Sequence, residues 1–280
     1  DVRVADHIQH NWLEPMIQRT HPLQAGLGFY CHAFSQSVLQ NRQHSLEARA
    51  ALYRRLTELA QYARDVGFGQ ISVEQMYTPH QIPWTIDGTK GMLRHVVRYG
   101  EAELYTTLDT GHQVGQRRYL RPTHDQLEAY FNGAEKPDLW LGYFEGETVA
   151  AAQQYVDQHG YLFADPRDCD LYAWLEALGA YSPIIHLQQT DGTSSAHRPF
   201  TETYNRSGIV DPQRVLASLR TAYEREPEPG LPARCEDIVL TLEIFSGTAE
   251  RPNDILRSIR ESVAYWRAFI PEDGIPLDQL

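Results

Sequence analysis

Cysteine is nearly absent: Cys31, Cys169 and Cys235 are three in 280 residues, and they stand far apart. With no C-x-x-C pair, zinc ribbons and thioredoxin-type redox motifs are excluded. A sparse, odd count fits a reducing compartment, so a cytoplasmic location is expected. No apolar run approaches the roughly 18 residues of a membrane span, and no charged-then-apolar leader marks a signal peptide. Positive charge is the minority sign, with 25 Lys and Arg against 37 Asp and Glu and a net charge of −12. A general nucleic-acid binder needs basic surface to displace counterions from phosphates, so neither nucleic acid nor membrane is an expected partner. What is present, 42% hydrophobic and 22% charged residues, is an ordinary globular composition, long enough to bury a core without disulfides or a structural metal. The chain begins at Asp1 rather than Met, which points to processing or to a missing leading segment.

Residues 1–22 read as polar and irregular around Trp12, Leu13 and Met16. AGLGFYCHAF at 25–34 reads as a buried strand. Leu52, Leu56, Leu59, Ala60, Ala63 and Val66 recur at spacings of three and four, which predicts a helix over about 45–66 capped by Gly67. Further strands are expected at 69–79, 103–113, 181–192 and 237–247. Helices are expected at 123–132, with a Thr123–Gln126 capping box, and at 146–156, 168–178, 211–225 and 252–269. Asp211 followed by Pro212 is a strong helix start, N-cap then first turn. Short apolar strands alternating with helices predict a parallel sheet covered by helices. No linker or repeat divides the chain, so residues 1–280 are expected to form one domain.

Four of the five expected strands carry an ionisable residue inside or just after the apolar run: Glu74 in SVEQ, Asp109 in LDTGHQ with His112 three residues on, His186 in IIHLQQ, and Glu243 in LTLEIF. Taken singly each has a plain explanation, such as a strand-end carboxylate paired with Arg or a satisfied core histidine. Burying such groups without partners costs several kcal/mol, roughly 2–7 even for an unpaired neutral group. Four separate structural explanations are less economical than one shared site at one end of a parallel sheet. Carboxylates with an imidazole form a ligand set suited to a divalent metal, Mn²⁺, Mg²⁺, Co²⁺ or Zn²⁺.

From about residue 25 to 270 the sequence resembles the xylose isomerase-like TIM barrels, the sugar isomerases and epimerases grouped with endonuclease IV. The resemblance implies a (β/α)8 barrel. The ketose 3-epimerase branch holds its metal with a Glu, an Asp, a His and a second Glu, matched here in order by Glu74, Asp109, His186 and Glu243. It implies that the two glutamates are also the proton-transfer pair, and that His112 and Arg198 of HRPF contact substrate. The stretches VEQMYTPHQIPWTIDG, LDTGHQVGQ and HLQQTDG resemble, more narrowly, the tetrulose-phosphate epimerases and isomerases of erythritol breakdown. Gln189 and His197 are further expected substrate contacts. Arg117 and the segment Ser194–Arg198 are candidates for a phosphate end, since the planar Arg fork suits phosphate. Trp84 would stack on a sugar or plug the barrel mouth.

Two departures from the barrel pattern stand out. Only one clear strand precedes Glu74, so the first one or two strands are expected to be absent, disordered or replaced by residues 1–22. The 77 residues from Asp109 to His186 must hold an insertion, at about 114–180, that covers the mouth or builds a subunit interface. The expected activity is a metal-dependent epimerisation or aldose–ketose isomerisation of a ketose or ketose phosphate, through an enediolate, by a homo-dimer or tetramer. Competing expectations are a metal-dependent phosphodiesterase of the endonuclease IV type, recruiting further histidines such as His80, and a non-catalytic sugar-binding barrel.

Overall fold

The structure is a computed structural model, and it describes residues 6–23, 25–31, 34–133 and 136–280. Five strands, β1 (Leu27–Phe29), β2 (Ile71–Glu74), β3 (Tyr105–Asp109), β4 (Ile184–Leu187) and β5 (Val239–Leu242), lie side by side in chain order, and every neighbouring pair is parallel. Parallel neighbours need a crossover at each step. The longer helices are α1 (Glu14–Thr20), α2 (Arg42–Asp65), α3 (Ile86–Gly100), α4 (His124–Asn132), α5 (Val149–Gln158), α6 (Leu171–Leu178), α7 (Pro212–Glu224) and α8 (Pro252–Arg267). Helices α2, α3, α6 and α7 make the four crossovers, and α8 follows β5. This is the expected α/β barrel architecture, with β1 and β5 as the two edges of the described sheet. A closed barrel of this type takes eight strands; the described sheet is three short, against the one or two expected.

Strand side chains alternate between the two faces of a sheet, and the register of this one sorts them cleanly. Ile71, Val73, Leu108, Ile185 and Leu187 face the helices at no more than 2% exposure. With Leu59, Met92, Leu93, Val96, Trp174, Leu175 and Val215 they form the main core. Cross-strand partners put Glu74 beside Thr107, Asp109 beside His186, and His186 beside Thr241 on the opposite, inner face. The sequence thus builds one apolar face for the helices and one polar face for chemistry.

Several helix ends follow the sequence reading. Thr123 and Gln126 form a reciprocal capping box, and the Asp211 side chain accepts from Arg214 N–H at the start of α7. Gly67 follows α2 at φ +71°, in the left-handed region that closes a helix. Residues 6–23 are a correction: they are helical, with one wide turn (Gln9–Leu13) leading into α1, and Ile17 is fully buried against the main core. Helix α3 carries no strong sequence signal because Gly88 and Gly91 interrupt its first turns. Thr85 caps it, and it buries Ile86, Met92, Leu93 and Val96.

The expected insertion spans roughly 113–170. It contributes α4 and α5, and with Leu39 from the segment before α2 it forms a second small core of Val156, Leu162 and Phe163 flanked by Trp140, Tyr143 and Tyr155. His80, on the loop after β2, meets Tyr143 Oη at 3.1 Å and so ties this insertion to the loop. Asp168 is a second tie. Its carboxylate is buried at 3% exposure and accepts from Ile86 N–H and Asp165 N–H, both at 2.8 Å. Burial pushes its pKa up although both hydrogen bonds favour the charged form. Replacing Asp168 with Ala strands two amide donors, at about 1–3 kcal/mol each. Urea unfolding of D168A is therefore expected to show a lower midpoint at unchanged slope. A midpoint equal to wild type would mean that solvent takes over both bonds without loss.

Candidate active site

Glu74 closes β2, Asp109 closes β3, His186 is the third residue of β4, and Glu243 directly follows β5. Each offers one ligand atom, and these atoms all lie within 4.8 Å of one another. Four adjacent parallel strands end at the same level, which is why residues 169 positions apart in sequence converge.

Asp109 is fully buried. Its Oδ1 accepts three hydrogen bonds, from Gly111 N–H at 2.7 Å, His112 N–H at 3.0 Å and Gln188 Nε2–H at 2.7 Å. Its Oδ2 is buried with no partner. Burial pushes this carboxyl up despite those donors. His186 Nδ1 lies 3.2 Å from Glu74 Oε1 and 3.2 Å from Glu243 Oε2. Burial alone would lower the imidazole, but the two carboxylates outweigh it and push it up to about 10. The same closeness to His186 draws Glu243 down to about 2. Glu243 Oε2 is nonetheless in line with no donor and makes no hydrogen bond, although His197 Nδ1 is also only 3.5 Å away.

Three carboxylates converge on one imidazole, so a single protonated ring leaves negative charge in excess. Two of the oxygens turned into the cluster, Asp109 Oδ2 and Glu243 Oε2, are buried and unpartnered. Leaving such atoms unpaired is costly. Hard oxygen donors with one nitrogen are the set that a divalent cation completes, so the residues present fit a metal.

The expected substrate contacts divide. His112 is buried, and its Nδ1 lies 2.6 Å from the Gln75 carbonyl. A carbonyl only accepts, so Nδ1 carries the hydrogen, leaving Nε2 for the site, 4.0 Å from Asp109 Oδ1. His197 stands beside the cluster, stacked on Phe245 at 3.9 Å with its backbone at φ +46°. Arg198 pairs with Asp191 at 3.4 Å and lies over the Tyr204 ring. Arg117 donates to Gly192 O at 2.8 Å. Both arginines therefore brace the loop 189–198, which folds back on itself through two backbone bonds between Gln189 and Arg198.

Two expected contacts are corrected. The Gln189 carboxamide is consumed by structure: it donates to Asn205 Oδ1 and Val210 O and accepts from Thr190 and Val210 N–H. Trp84 is 6% exposed and edge-on to Tyr119 at 6.0 Å, so it offers no open face to a sugar. His80 has both nitrogens engaged, by Phe34 O and Tyr143, and is not spare for a larger metal cluster. The residue that sequence reasoning passed over is Gln188. The period of two from His186 places it on the inner face, and its amide holds Asp109.

No protein-family model matches the chain. A crystal structure of a Rhodospirillum rubrum protein assigned as a xylose isomerase superposes with a TM-score of 0.61 at 18% identity, over 91% of this chain and 66% of that one. The chain has the xylose isomerase-like fold. A D-tagatose 3-epimerase-like protein superposes with a TM-score of 0.46 at 13% identity, over 92% of this chain and 69% of that one. In sequence, the chain is 33% identical over 117 residues to the D-erythrulose 1-phosphate 3-epimerase of Brucella abortus. That stretch is 41% of this chain and 34% of the epimerase, so the match spans about a third of the curated relative's length.

Proposed function

We propose that this chain is a sugar epimerase or isomerase that moves a proton next to the carbonyl of a ketose or ketose phosphate, with tetrulose phosphates as the leading substrates, and that its described residues form one barrel-type domain. The observation that carries the reading is the four-residue cluster at the strand ends, in which buried Asp109 meets three partly exposed groups, His186 and the two glutamates. The similarity to an erythrulose-phosphate epimerase supports it.

In this reading Glu74, Asp109, His186 and Glu243 would hold the divalent metal, Mn²⁺, Mg²⁺, Co²⁺ or Zn²⁺. The cation would supply positive charge against the charge that develops on the sugar's oxygens. Glu74 and Glu243 come from strands on opposite sides of His186, so they approach a sugar seated there from two directions. One carboxylate removes the proton and the other delivers one to the opposite face, which inverts the centre. Transfer between neighbouring carbons on one face gives an aldose–ketose isomerisation instead. His112 Nε2, His197 and the loop braced by Arg117 and Arg198 orient the substrate.

The test is hydrogen exchange in D₂O with Mn²⁺ or Mg²⁺ across tetruloses, pentuloses and their phosphates, followed by NMR with an EDTA control. Deuterium is expected to enter next to the carbonyl only when metal is present, and the product separates epimerase from isomerase. Metal binding without exchange on any member of the panel would end this reading.

A further inference from the structure

We infer that Gln188 is a positioning residue that aims Asp109 into the site and locks the substrate loop to it; the inference rests on the proposed metal-dependent reading. The side chain is wholly buried. Its orientation is fixed from both ends. Nε2 donates to Asp109 Oδ1 at 2.7 Å, a contact only an N–H can make, and Oε1 accepts from His197 N–H at 2.6 Å, a contact only an oxygen can make. Nε2 also reaches Ser195 Oγ at 3.0 Å, and lies 3.4 Å from His197 Nε2.

Three consequences follow from that geometry. Together with the Gly111 and His112 amides, Gln188 saturates the outer oxygen of Asp109, so the carboxylate cannot rotate without losing bonds and Oδ2 stays turned inward. The bond to His197 N–H holds a non-glycine residue at φ +46°, a conformation that persists only where surroundings enforce it. Because one amide makes both contacts, the position of the loop bearing His197 and Arg198 is coupled to that of Asp109. Gly111 is part of the same device: a Cβ there would meet the Gln188 carboxamide carbon at 2.5 Å, and this buried, fully bonded amide has nowhere to move.

Groups that orient metal ligands typically matter by about 10–100-fold in metal affinity. The test is Mn²⁺ titration followed by the EPR signal of free Mn²⁺, on wild type, Q188L, G111A and D168A, with circular dichroism to confirm folding. Q188L and G111A are expected to bind Mn²⁺ at least tenfold more weakly and to raise KM for the ketose. D168A, a stability lesion away from the cluster, is expected to stay within twofold of wild type. Folded Q188L and G111A binding Mn²⁺ within twofold of wild type would overturn the inference and leave the proposed function standing. If Q188L does not fold, G111A alone decides. A wild type that binds no Mn²⁺ removes the proposed metal site, and this inference with it.

Discussion

Glu243→Gln is expected to lower turnover by about 10²–10⁴-fold while the fold survives. Glutamine keeps the size of the side chain and an oxygen for His186, but it cannot take or give the proton. The carboxylate lies just past the end of edge strand β5, and none of its oxygens facing His186 is needed for a hydrogen bond in the core. Circular dichroism should therefore match wild type. Glu74→Gln is expected to behave alike, because the side chain is partly exposed and the glutamine oxygen can still accept from His186 Nδ1. Steady-state kinetics on the substrate found by the exchange screen is the check. Full activity in both variants would remove the two glutamates as the proton-transfer pair.

Saturating Mn²⁺ is expected to raise the melting temperature strongly. At a metal concentration of 100 Kd, linkage gives about 2.7 kcal/mol. For a chain of this size that corresponds to roughly 5–10 °C, at about 2–4 °C per kcal/mol. Asp109→Asn is expected to cross this behaviour. Without metal the variant melts no lower than wild type, because a buried charge beside two other carboxylates is gone. With metal it shows little or no rise, because an amide replaces a ligand oxygen. Differential scanning calorimetry with and without EDTA checks both arms. Equal metal shifts in wild type and D109N would mean that Mn²⁺ binds elsewhere.

The strand-end ionisable residues and the alternation of strands with helices were legible because each rests on local patterning. Asp109 and His112 bracket a tight turn, and the apolar runs before Glu74, His186 and Glu243 mark their strands. Other features depend on contacts that no local pattern encodes. Helix α3 is held by burial of Ile86, Met92, Leu93 and Val96 and by the distant carboxylate of Asp168, which outweigh the two glycines of its first turns. Ile17 is buried only because α1 finds the main core. The exchange of Gln189 for Gln188 is a matter of one residue just past the end of β4. Inward and outward positions alternate, so His186 fixes 188, and 189 turns away into the segment 205–210. For Trp84 residue type left stacking on a sugar and plugging the mouth both open; Tyr119 of the insertion meets its ring, which leaves no face for stacking.

The exposures of the acidic residues are unequal. Asp109 is sealed, whereas Glu74 and Glu243 keep 17% and 28% of their side chains open. Under the proposed chemistry the carboxylates that carry the migrating hydrogen are the two in touch with bulk water. A hydrogen lifted from the sugar is diluted into solvent before its replacement arrives. Successive turnovers would erase the isotopic memory of the substrate, and the stereocentre would be rebuilt each time from water.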